Sequence, residues 1–157
     1  MSTHHSAALV IDLLRMNRQT LAVAESLTGG GLGAAITAIP GASDVFLGGV
    51  IAYSAGVKES LLKVGKAEIA QYGVVSEEVA IAMADGVREL LGSTWGIATT
   101  GVAGPGDADG LPAGTVWIAI SGPINQSTQL EVEGEREVVQ KASLSSAISA
   151  FARILSS

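Results

Sequence analysis

Three times in this chain a short apolar run breaks off at a hydroxyl-bearing residue beside glycine. The first is TLAVAESLTGG (20–30), the second VFLGGVIAYSAG (45–56) and the third TWGIATTGVAGPG (94–106). Runs of this length bounded by turn residues read as buried strands. Strands buried on both sides require a helix layer on each face of their sheet. Helical spacing fills the intervals. Leu9, Val10, Leu13, Leu14 and Met16 mark a helix over 7–16. Thr28 is placed to cap a second helix that ends near Pro40-Gly41, and short helices are expected over 58–64 and 67–72. Ser76 caps a longer one to about Leu91, with Glu77 and Glu78 in its positive first turn and Val79, Met83, Val87, Leu90 and Leu91 as its buried stripe. A last helix covers 135–155.

Two further strands, 115–121 and 128–133, are joined by GPINQ. That link is too short for a parallel crossover, so the two form an antiparallel hairpin. The expected fold is therefore α/β: a three-layer α/β/α sandwich on a mixed, mostly parallel sheet that ends in a hairpin. With 157 residues and no repeat or linker, the whole chain reads as one domain, its first six residues (MSTHHS) frayed.

Composition narrows the chemistry. Apolar residues make up 48% but aromatics only 4%, so the core rests on Ala, Val, Ile and Leu. The longest apolar runs fall short of a membrane span and no signal-peptide pattern is present, which points to a cytoplasmic protein without membrane partners. Nine basic against fifteen acidic residues give a net charge of −6, a balance that argues against nucleic-acid binding. There is no cysteine, which excludes thiolate catalysis, disulfides and Cys-metal sites. The two histidines, His4 and His5, stand in the terminal segment. Acid–base work in an enzyme of this composition falls to Lys, Tyr, Asp, Glu or water, with neither metal nor cofactor expected.

In an open α/β sheet, ligands gather at the carboxyl ends of the strands. The three hydroxyl–glycine turns are predicted to meet there. GGGLGA matches a dinucleotide-binding turn only loosely: no acidic residue ends the next strand, and no Walker sequence follows. Asp107 and Asp109 read as solvated turn formers. Ser26 is the candidate nucleophile, and without histidine its nearest plausible base is Lys58 or Tyr53. Taken alone, Lys58 reads more readily as a solvated helix residue and Tyr53 as a packing residue at a strand end.

AESLTGG, PGASDVFLGGVIAYS, VKESLL, GVVSEEVA, TTGVAGP and PAGTVWIAI occur in this order. In content and spacing they resemble the CinA C-terminal domain family, in its stand-alone, PncC-type form, over about residues 13–153. Larger members carry an N-terminal nucleotide-hydrolase domain for which this chain has no room. The resemblance implies a homodimer that hydrolyses nicotinamide mononucleotide to nicotinic acid mononucleotide and ammonia. It implies Ser26, Tyr53 and Lys58 as catalytic residues, in agreement with the trio reached from the residues themselves. Ligand contacts are implied at Glu25, Thr28, Gly29 and Gly30 in the first turn and at Gly48 and Gly49 in the second strand. They are also implied at Thr100, Gly101, Gly104, Pro105 and Gly106 in the third turn, and at Arg136.

Backbone N–H groups of the glycine turns, with Thr100, are expected to hold the oxyanion and the 5′-phosphate. Glu25 either orients Lys58 or pairs locally. The chain departs from the family pattern at Glu135 and Gln140, where Asp and Arg are usual, at Leu111, where Lys is frequent, and at Lys63. Two other readings fit the same residues: a catalytically silent nucleotide- or protein-binding module, and a hydrolase of a different amide.

Overall fold

The computed structural model describes residues 1–157. Five strands, β1 (Leu21–Glu25), β2 (Phe46–Ile51), β3 (Trp95–Gly101), β4 (Thr115–Ser121) and β5 (Gln126–Glu131), form one sheet in the order β2-β1-β3-β4-β5. β1 pairs in parallel with both β2 and β3, β4 runs antiparallel to β3, and β5 returns antiparallel to β4. The mixed sheet and its terminal hairpin match the sequence expectation. Helices α1 (Thr3–Asn17), α2 (Gly31–Thr37) and α6 (Arg136–Ser156) cover one face. Helices α3 (Ala55–Ser60), α4 (Lys66–Tyr72) and α5 (Glu77–Leu91) cover the other. No helix is long and apolar enough to cross a membrane.

The two layers are packed differently because β1 and β3 alternate in side-chain size. Leu21, Val23 and Ile97 point into a core of large side chains with Val10, Leu14, Leu32, Ile36 and Phe151. There the Phe151 ring meets Trp95 edge-on at 5.2 Å. Ala22, Ala24, Ala98 and Ala119 point the other way, toward Val79, Met83 and Val87 of α5. Small residues on that face let α5 lie close to the sheet. A Cβ at Gly96 would run into the Ala84 carbonyl, and one at Gly86 into the Leu62 carbonyl.

Several expectations need correction. The N-terminal segment is helical from Thr3, because the Ser2 side chain caps the His5 N–H, Thr3 hydrogen-bonds Ser145 and Ser6 is buried. β2 is an edge strand in which half-buried and exposed positions alternate, leaving Leu47 and Ile51 about half exposed. Its apolar sequence implied burial on both sides, but only β1 pairs with it. Leu90 and Leu91 are exposed, since the buried face of α5 runs through Val79, Ala80, Met83, Ala84, Gly86 and Val87. The helix around Lys58 begins at Ala55, where the Ser54 side chain accepts from the Val57 N–H. β5 starts two residues earlier than expected because the turn after β4 is closed by the Gly122 N–H on Asn125.

Gly86 gives a direct test of the close layer. In an exposed helix, Gly→Ala stabilises by up to about 1 kcal/mol. Here the added methyl meets backbone, and Gly86→Ala is expected to destabilise by about 1–3 kcal/mol in urea denaturation. A gain in stability would show that α5 is free to move away from the Leu62 backbone, which follows α3.

Candidate active site

The parallel half of the sheet brings the ends of β1, β2 and β3 to one edge, and the next residues of each strand meet there. Ser26 follows β1 directly, and its N–H donates to the Thr99 carbonyl of β3 at 3.0 Å. This bond fixes the first residue of the turn to the neighbouring strand. Beyond β2 the chain passes Ala52 and Tyr53 and enters α3, which carries Lys58 back toward the sheet. Lys58 is 2% exposed. Its Nζ lies 2.9 Å from Ser26 Oγ, 2.8 Å from the Ala52 carbonyl oxygen and 3.2 Å from that of Tyr53.

No carboxylate reaches Lys58, because both ion pairs of the molecule belong to Arg15. An unpaired buried ammonium loses hydration without Coulombic return. Burial accordingly lowers the Lys58 pKa from 10.5 to about 8. As a neutral amine, Lys58 has N–H donors for the two carbonyls and a lone pair for the Ser26 hydroxyl proton. That is the geometry of a nucleophile with its base.

Glu25, next to this pair in sequence, is committed elsewhere. Its carboxylate is buried and accepts from the N–H groups of Gly30 at 3.2 Å, Leu32 at 2.8 Å and Gly33 at 3.0 Å. It therefore caps α2, the role the sequence offered to Thr28, and it closes that helix start to an outside anion. Thr28 Oγ1 instead hydrogen-bonds Thr99 Oγ1 at 2.8 Å. Gly29 and Gly30 supply the left-handed backbone that lets the chain double back onto Glu25, with φ of 56° and 101°.

Beside the pair opens a cleft of about 210 Å³, bordered by Ser26, Leu27, Tyr53, Lys58, Thr100, Gly101, Ala103, Asp109 and Arg136, with Val74 and Val75 as an apolar wall. Tyr53 makes no hydrogen bond to Ser26 or Lys58 through its hydroxyl. Its ring is 62% exposed at the mouth, where its hydroxyl accepts from Arg136 at 3.1 Å. The same guanidinium donates to the Gly104 carbonyl at 2.7 Å, so Arg136 bridges the second and third turns across the cleft. The Thr100 hydroxyl donates to the Val74 carbonyl at 2.8 Å and is no longer free as a donor for a ligand.

Pro105 and Gly106 are exposed beyond Gly104. Gly48 and Gly49 sit within β2 opposite Ala22 and Val23, away from the cleft. Val74, Val75 and Asp109 were not singled out as site residues by the sequence. Only the tertiary fold brings them to Ser26.

Residues 3–155 match the family model described as CinA C-terminal domain. A CinA-like protein of Synechococcus sp. (strain RCC307) is 57% identical over 118 residues, 74% of this chain and 28% of that protein. A CinA-like protein of Prochlorococcus marinus (strain MIT 9313) is 46% identical over 153 residues, 95% of this chain and 36% of that protein. The chain thus spans about a third of the length of these curated relatives. Among solved structures, the competence-damaged protein (CinA) superfamily protein from Klebsiella pneumoniae 700603 superposes with a TM-score of 0.95 at 32% identity, covering 99% of both chains. The corresponding Escherichia coli superfamily protein gives a TM-score of 0.93 at 29% identity, covering 99% of this chain and 91% of that one.

The buried lysine leaves a signature in stability. Its folded pKa lies below the unfolded value, so between about pH 8 and 10.5 the unfolded chain binds a proton that the native chain has lost. Stability from this residue therefore rises with pH across that window, and below it the native state carries the full desolvation cost. Lys58→Met removes the titration. Between pH 7 and 10 the stability difference is expected to move in favour of wild type, by at most about 3 kcal/mol. A constant difference in urea titrations at pH 7, 8.5 and 10 would mean that Lys58 titrates as an exposed amine.

Proposed function

This chain belongs to the CinA C-terminal domain family, and we propose that it is an amidohydrolase that converts nicotinamide mononucleotide to nicotinic acid mononucleotide and ammonia. The observation that carries the reading is the 2.9 Å contact between Lys58 Nζ and Ser26 Oγ, with the amine buried and its pKa lowered to about 8. A silent binding module has no need of an unpaired lysine held in the interior against a serine.

The chemistry divides into two acyl transfers. Ser26 Oγ attacks the carboxamide carbon as Lys58 takes the hydroxyl proton. The tetrahedral adduct collapses by breaking its C–N bond, and the Lys58 ammonium returns the proton to the departing nitrogen, which leaves as ammonia. Water then attacks the acyl–serine ester and gives its proton to Lys58. The second collapse releases the carboxylic acid and restores the Ser26 hydroxyl. Tyr53, at the mouth, is a positioning group for the substrate in this scheme.

The size of the cleft supports a division of labour. Its volume of about 210 Å³ is below the ~300–1,000 Å³ usual for pockets that engulf a ligand. The pyridine carboxamide would occupy it, and the ribose phosphate would rest at the mouth beside Arg136 and the Gly101–Gly106 turn. Lys58 is buried and held by Ser26 and two carbonyls, which leaves the Arg136 guanidinium as the positive charge at the mouth for an anion.

Ammonia release from nicotinamide mononucleotide tests the reading. Turnover is expected in the presence of a chelator, because serine and lysine supply nucleophile and base. It should rise with pH through about 8, as Lys58 becomes neutral. Ser26→Ala and Lys58→Ala should each lower kcat by at least about 10³-fold, and the double variant little further. Nicotinamide riboside should be poorer by roughly 10–100-fold in kcat/KM if a charge-assisted phosphate contact is lost. Full ammonia release by Ser26→Ala would make water the nucleophile and return Ser26 to a structural role. Release from simple amides but not from the nucleotide would assign a different amide.

A further inference from the structure

Accounting for each backbone N–H around the nucleophile isolates two that are free. The Ser26 N–H donates to the Thr99 carbonyl, that of Gly29 to the Ser26 carbonyl and that of Gly31 to the Thr28 carbonyl. Those of Gly30, Leu32 and Gly33 go to Glu25, and that of Ala34 goes to the Gly30 carbonyl. Between Ser26 and Ala34, only Leu27 and Thr28 have no acceptor within the protein. Both residues are nearly inaccessible, at 3% and 6% exposure. Buried amides are seldom left without a partner. These two directly follow the serine that carries the lysine.

The other polar groups of the same two residues are all held. The Leu27 carbonyl accepts from Gln140 Nε2 at 2.9 Å. The Thr28 carbonyl accepts from Gly31, and Thr28 Oγ1 is bonded to Thr99 Oγ1. The turn is therefore fixed from three sides while two donors stay vacant. They are distinct from the start of α2, whose amides are taken by Glu25. Fixed, unoccupied N–H donors next to a nucleophile are what a developing oxyanion requires, since they need no reorganisation when charge appears.

We infer that the N–H groups of Leu27 and Thr28 form the oxyanion hole for the tetrahedral adduct on Ser26, and that Gln140 is a positioning residue that holds it. The inference rests on the assignment of Ser26 as nucleophile. As Ser26 Oγ bonds to the carbonyl carbon and its proton passes to Lys58, the carbonyl π pair moves to oxygen. The two N–H groups receive that oxygen. On collapse the pair returns to the carbonyl as the C–N bond breaks. The role expected of Thr100 passes to these amides, because its hydroxyl is spent on Val74. Gln140, which lies 113 residues from Leu27 in sequence, gains a function in the site through α6.

The test uses the full ¹⁵N-labelled chain and diisopropyl fluorophosphate, whose phosphoryl oxygen on a serine occupies the place of the oxyanion. Mass mapping should find the adduct on Ser26. The Leu27 and Thr28 amide protons should move downfield and exchange more slowly, with Gly31 unchanged. Gln140→Leu should reduce both shifts and lower kcat on the nucleotide by roughly tenfold or more with KM unchanged. Replacing the Thr28 amide by an ester should lower kcat by roughly 10²–10³-fold. An adduct on Ser26 with both amides unmoved overturns the oxyanion hole and leaves the proposed hydrolase standing. No adduct on Ser26 removes the nucleophile and overturns both. If the Gln140 variant does not fold, the wild-type adduct spectrum still decides.

Discussion

The hydrogen bond between Lys58 and Ser26 is the contact that the rest of the site depends on, and it works because a second buried charge is kept away from it. Glu25 precedes Ser26 in sequence and is equally buried. Had its carboxylate turned toward Lys58, the ammonium would be stabilised and the amine unavailable as a base. The start of α2 prevents this by offering the carboxylate three N–H groups. The acid is satisfied by backbone dipoles and the lysine by two carbonyls and a hydroxyl. Each charge is buried without the other, and the basicity of the lysine falls as a result. The glycines after Thr28 serve this separation first, since only a left-handed turn brings the helix start back over Glu25.

The sheet supplies the frame. Because β1 and β3 are parallel neighbours, the Thr99 carbonyl is in place to receive the Ser26 N–H, and the turns after both strands open on one edge. The edge position of β2 leaves Tyr53 at the mouth rather than in the interior. The hairpin of β4 and β5 turns the chain so that α6 returns across the face of large side chains. Its first turns then deliver Arg136 to the mouth and Gln140 to the Leu27 carbonyl. The hairpin and the last helix thus complete the site.

What the sequence disclosed and what it hid follow from the range of the interactions. The order of elements, the hairpin and the convergence of three turns were legible, because each rests on local periodicity and turn chemistry. Membership in the family was legible from six ordered motifs. The edge position of β2 was hidden, since an apolar strand reads the same with one neighbour as with two. The capping of α2 was also misread: Thr28 is the conventional cap, and only the fold shows Glu25 reaching past it to three amides. Lys58 looks like any helical lysine until α3 is placed over Ser26, and Gln140 meets Leu27 only through tertiary packing.

Under the proposed function, the arrangement separates the reacting groups from those that select the ligand. Ser26, Lys58 and the turn behind them are buried and tied to β1, β3 and α2, so their geometry tolerates little change. Tyr53, Arg136 and the loop from Gly101 to Asp109 stand at the mouth and are bound to one another by the bridging guanidinium. In the proposed reaction, a substitution at the mouth changes which amide is presented without altering how it is cleaved. The Leu111 and Gln140 departures fall on opposite sides of this boundary. Leu111 lies in the outer loop, where its bond partner is Ala108. Gln140 contacts the turn that carries Ser26. A family in which Arg is usual at the second position and Lys frequent at the first can therefore vary at both for different reasons. The outer position is not part of the cleft lining, and the inner one requires only an N–H donor for the Leu27 carbonyl, which glutamine supplies.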